Sequence, residues 1–116
     1  MLTIRAEQMR AFGEAMRRDF ETRMVAYLRG KFKAQTARYS GEQLVAVVRE
    51  GIASADPYGI TIEKDVSRFI EYSVLYGADF HTRLGWVATV LQTRGINGTQ
   101  KMDRIDNQAP FERALP

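Results

Sequence analysis

Residues able to do chemistry are sparse in this chain and do not gather into a familiar constellation. There is one histidine, His81, in the run Gly77-Ala-Asp-Phe-His-Thr. An imidazole can pass protons near neutral pH, and Asp79 stands two residues away. No serine or cysteine nucleophile is placed to complete a triad with them. A lone histidine in a loop between helices is more often a surface residue than a general base. Asp103 and Asp106 form one carboxylate pair at i, i+3. A calcium loop or a Glu-x-x-His site needs further donors that the chain lacks, so the pair reads as the wet face of a short helix. Cysteine is absent, which removes disulfides, thiolate metal sites and a thiol nucleophile. Neither a phosphate-cradling glycine loop nor a dinucleotide fingerprint occurs. The expectation is a protein that is no enzyme and uses no cofactor and no metal.

Two stretches look more like binding surfaces. Tyr27 to Tyr39 interleaves four bases (Arg29, Lys31, Lys33, Arg38) with three aromatics (Tyr27, Phe32, Tyr39), a composition that combines phosphate contact with stacking. The same aromatics are what a helix end packs into a core, and no helix-turn-helix pair accompanies them. Core plus solvated base is the favoured reading over a nucleic-acid site. The second stretch is the stripe Met9, Phe12, Met16, Phe20, with Arg17 and Arg18 beside it. It reads either as ordinary core or as a face that docks on a protein partner, with the two arginines steering an acidic one.

Composition sets the class. The chain has 116 residues, 45% hydrophobic and 27% charged, which is ordinary for one globular domain. It has no apolar run of the ~20 residues that a membrane span requires. Charged residues interrupt the first ten positions, so an export signal is not expected and cytoplasm is the expected location. The net charge of +3 is uneven: residues 1–38 are basic and the remainder mildly acidic. Such a distribution suits phosphate, an acidic partner, or two parts that face each other.

The elements that must position these residues are helices. Met9, Phe12, Met16, Phe20, Met24, Tyr27 and Leu28 recur at three- and four-residue steps and predict one helix over 4–32, about 40 Å long at 1.5 Å per residue. Ser40-Gly41-Glu42-Gln43 is a capping box for a helix carrying Leu44, Val47, Val48 and Ile52, ending at Gly59 or, because of Pro57, at Ala55. Thr61 is the next expected N-cap, with Glu63 and Asp65 in the first turn. Val66, Phe69, Ile70, Val74 and Leu75 follow, and Gly77 stops that helix. Leu84, Val87, Val90 and Leu91 form a short helix closed by Gly95, and a weak last one starts at Thr99 with Met102 and Ile105. Two-residue alternation and internal repeats are both missing. The expected fold is all-α, a single domain of four to five helices with a long N-terminal amphipathic helix, over 1–106, followed by a loose tail over 107–116.

Several stretches together carry a resemblance. They are Arg23-Met-Val-Ala-Tyr-Leu-Arg29, Tyr58-Gly-Ile-Thr-Ile-Glu-Lys-Asp-Val66, Tyr76-Gly-Ala-Asp-Phe80, Trp86-Val-Ala and Gln100-Lys-Met-Asp-Arg-Ile105. In order and spacing the chain resembles small helical accessory proteins encoded in bacterial type VI secretion effector and adaptor clusters. It departs from them at Leu84-Gly85, where a proline would precede the tryptophan, and in its short tail. The resemblance implies a non-enzymatic protein-binding module, a co-adaptor or chaperone for an effector or its adaptor. An immunity protein that neutralises a toxin is the alternative from the same setting, and a small basic nucleic-acid binder the alternative from another class. Self-association is left open.

Overall fold

The structure is a computed structural model and describes residues 14–109. Among them it holds seven α-helices and no strand: α1 Glu14–Lys31, α2 Lys33–Thr36, α3 Gly41–Ala55, α4 Glu63–Tyr76, α5 Phe80–Arg83, α6 Gly85–Leu91 and α7 Gly98–Gln108. Five are the expected ones. The other two, α2 and α5, are single turns of four residues, too short to show a periodic stripe.

Helix α4 is the centre of the molecule. Both its apolar stripe (Val66, Phe69, Ile70, Val74) and three polar side chains beside it (Asp65, Glu71, Ser73) are buried, because α1, α3, α5 and α7 all pack around it. Helix α3 lies closest. A Cβ on Gly51 would sit 2.5 Å from Ile70 Cγ1, so the absent side chain is what lets the two helices approach. Helix α7 closes the other side with Met102 and Ile105.

The caps follow their local chemistry where the sequence offers it. Ser40 Oγ accepts from the Gln43 amide at 3.1 Å while Gln43 Oε1 accepts from the Ser40 amide at 2.8 Å, the expected reciprocal cap. The same device opens α7, with Asn97 and Gln100 at 2.8 Å in both directions, so that helix starts at Gly98 rather than at Thr99. Thr61 does not cap α4. The N-cap residue is Ile62, with no side-chain cap; the fully buried Ile60 pins the chain ahead of it, and tertiary position outweighs the hydroxyl's preference. Helix α3 ends at Ala55, as Pro57 suggested, and a 3₁₀ turn over Asp56–Tyr58 closes on Gly59 at φ 78°. At the far end α7 runs through Gln108, and Ala109 is buried. Residues 110–116 lie outside the described residues.

Candidate interface along the first helix

Helix α1 spans 18 residues, about 27 Å at 1.5 Å per residue. Its upstream portion as read from sequence, with Met9 and Phe12, lies outside the described residues. Within the helix, core contact begins at Phe20, which is 2% exposed, and continues through Met24 and Leu28. Phe20 is therefore a core residue. The stripe turns inward at that point because α3 and α4 lie beneath it, and an aromatic ring there leaves water most fully. Met16, one turn earlier, is only partly covered, and Ala15 and Arg18 are exposed.

Arg17 does not stand free to steer a partner. Its Nε lies 3.5 Å from Glu21 Oε2, and Glu21 is 3% exposed. From α3, Arg49 donates to both oxygens of the same carboxylate, at 2.9 and 3.2 Å. A buried carboxylate needs such partners; Arg49 supplies the hydrogen bonds and Arg17 a second nearby positive charge.

Two clefts flank α1. One, between α1 and α4, encloses about 500 Å³ over Phe20 and Met24 and continues past Arg23 and Glu63 into a space of about 270 Å³ beside Ala15 and Met16. Arg23 straps the two parts together, donating to Asp19 at 2.9 Å on its own helix and to Glu63 at 3.2 Å across the gap. The hydrogen bond to Asp19 raises its pKa, burial works against that, and the charge of Glu63 adds to the rise. At the other end the buried Glu71 accepts from Tyr27 Oη at 3.1 Å and Lys31 Nζ at 3.0 Å. Lys31 also donates to Tyr27 Oη; that bond, followed by Glu71, raises the ammonium's pKa. Tyr27 itself is 44% exposed, the one large apolar side chain among the described residues that is. The second cleft, about 700 Å³, lies between α1 and α3 over Val25 and Val45.

The other residues singled out from sequence serve the fold. Asp103 and Asp106 grip Arg68 Nη1 at 2.9 Å each, and Arg68 Nη2 donates to the buried Asp65 at 2.6 Å. Tyr72 Oη donates to Asp106 at 2.7 Å, and Thr99 to Asp65. Burial acts to lower the Arg68 pKa, and the three carboxylates together raise it. The aspartate pair is thus an inter-helix clamp between α4 and α7. Among the described residues no group of three metal-ligating side chains gathers.

His81 lies on α5 rather than in a loop, half-buried among the rings of Tyr58, Phe69 and Phe80. Its Nδ1 meets Tyr58 Oη at 2.9 Å, while Asp79 is held by Arg83 at 3.1 Å. The structure does not bring the two together. In the Tyr27–Tyr39 stretch, Phe32 is core, and Arg29 ties down the reversal after α1 by donating to the Thr36 and Tyr39 carbonyls at 2.6 and 2.8 Å. Arg38 covers the Tyr39 ring at 5.0 Å.

Sequence reasoning passed over Glu63, Lys64, Arg68 and Glu71, which form the α4 wall of the cleft. Lys64 and Arg68 at i, i+4 and Arg68 and Glu71 at i, i+3 on one helix face were the available signal. No family model matches the chain, and no curated protein or solved structure matches it either.

Proposed function

We propose that this protein is a non-enzymatic protein-binding module that receives its partner along the flank of α1. The observation that carries this reading is the cleft between α1 and α4, open to solvent, with Tyr27 exposed at one end and the partly covered Met16 near the other. An amphipathic aromatic residue such as Tyr27, at the mouth of a depression with an apolar floor (Phe20, Met24) and charged walls, is the kind of anchor that protein interfaces favour. Catalytic readings have less to stand on, since His81, Asp79, Asp103 and Asp106 each have a structural partner. Within the protein-binding class, the resemblance to type VI secretion accessory proteins favours a co-adaptor or chaperone for an effector or its adaptor.

The test is capture of the proteins encoded beside this chain's gene by the tagged protein, compared between the wild type and the Tyr27→Ala and Met16→Ala variants. The expected result is that a neighbour is captured and that at least one variant loses it at an unchanged melting temperature. Capture equally strong with both variants overturns the proposed surface.

A further inference from the structure

From Thr22 to Gly41 the chain has five bases (Arg23, Arg29, Lys31, Lys33, Arg38) and no acid at all. The structure folds this acid-free run into the C-terminal end of α1, the single turn α2 and the link to α3, and the fold itself accounts for three of the five. Arg23 pairs with Asp19 and Glu63, and Lys31 with Glu71. Arg29 tethers two carbonyls, which holds its side chain but leaves its charge unneutralised. Lys33 and Arg38 are exposed and have no carboxylate partner among the described residues. Among the described residues, three positive charges therefore stand close together without a carboxylate partner, beside the exposed ring of Tyr27.

We infer that this part of the molecule is an interaction surface for the acidic face of a protein partner, with Lys33 and Arg38 meeting its carboxylates. This rests on the protein-binding reading above and names the chemistry of the partner. A nucleic acid would use the same cations but stacks successive bases on several open aromatic faces, and in this stretch only Tyr27 offers one. Phe32 is buried, and Tyr39 is half-buried with Arg38 5.0 Å from its ring centre. Carboxylates need only the cations, and opposite potentials across an interface speed encounter and fix orientation.

The experiment uses the full chain and two labelled probes, a fifteen-residue glutamate-rich peptide and a fifteen-nucleotide thymidine strand, at low and at physiological salt. Two charge-matched double variants are compared: Lys33→Glu with Arg38→Glu, and, as a control on other elements, Arg94→Glu with Arg104→Glu. The peptide is expected to bind the wild type and the control alike, and to bind the Lys33/Arg38 variant about tenfold more weakly at low salt. If the charge reversal disturbs folding, Lys33→Gln with Arg38→Gln replaces it and a smaller loss in the same direction is expected. Equal losses in the two double variants show that the peptide reads only overall charge, and overturn the inference. So does an absence of peptide binding, or a thymidine strand that binds more tightly than the peptide. Those outcomes leave the Tyr27 and Met16 capture experiment untouched, so failure here is distinguishable from failure of the protein-binding reading.

Discussion

Single side chains in this protein divide by whether a buried charge depends on them. Arg68 is the extreme case, with its guanidinium 17% exposed and three aspartates around it. Arg68→Ala leaves Asp65, 1% exposed, without its cation, and breaking such a pair costs about 3 kcal/mol or more; chemical denaturation measures it directly. Phe20→Ala opens a cavity in the core and is expected to lower stability by about 3–5 kcal/mol, whereas Met16→Ala, at a partly covered position, should change it by well under half as much. Lys31 gives a pH signature. Its folded-state pKa is raised above the ordinary 10.5, so its contribution is fully present below that value and is lost as the pH rises through the folded one. The difference in melting temperature between wild type and Lys31→Met is therefore expected to hold steady from neutrality to about pH 10 and to fall away only as the pH passes 10.5 and then the raised folded-state value. A difference that grows with alkalinity contradicts the pairing with Tyr27 and Glu71.

Between elements, approach distance is set by residues that have no side chain. The first turn of α7 rests on the backbone at Gly59–Ile60, where a Cβ on Gly98 would fall 2.3 Å from the Gly59 carbonyl oxygen. Backbone cannot swing aside as a flexible side chain does, so Gly98→Ala must push α7 outward. That displaces Lys101 from the Tyr58 carbonyl it reaches at 2.9 Å and stretches the Arg68 clamp. A loss of about 3 kcal/mol is expected, with earlier amide exchange in α7 than in α3. Removing a cap acts more mildly. Ser40→Ala takes one acceptor from the first turn of α3 and should cost about 1 kcal/mol. If the glycine variant proves no worse than the cap variant, α7 does not seat where described.

Across the whole molecule, charge and apolar surface are separated. The central helix α4 collects the buried polar groups, and carboxylates on α1, α4 and α7 absorb the cations that face them. Among the described residues, a flank of α1 stays partly uncovered, and Lys33 and Arg38 have no carboxylate partner. Charge reversal at Lys33 and Arg38 is accordingly expected to leave the melting temperature within about 1–2 °C of wild type, since exposed charges contribute little to folding, while changing the salt dependence of association. A collapse of the melting temperature would make those cations part of the fold instead.

Local signals were enough for the helical class, for the capping box at Ser40–Gln43 and for the stop at Gly77, because caps and stops are decided within four residues of chain. The stripe of α3 was equally legible, since an apolar face repeating every three to four residues must find cover somewhere. What the stripe cannot encode is which part of it is covered: Phe20 and Met16 look alike in sequence, and only the placement of α3 and α4 beneath the helix buries one and leaves the other half open. The roles of the charged residues were hidden for the same reason. Arg17 with Glu21 is a local pair, but Arg49, Arg68 and Glu71 meet partners 28, 35 and 38, and 40 and 44 positions away. Electrostatic pairing depends on distance in space, and distance in space between helices is set by the packing of the core.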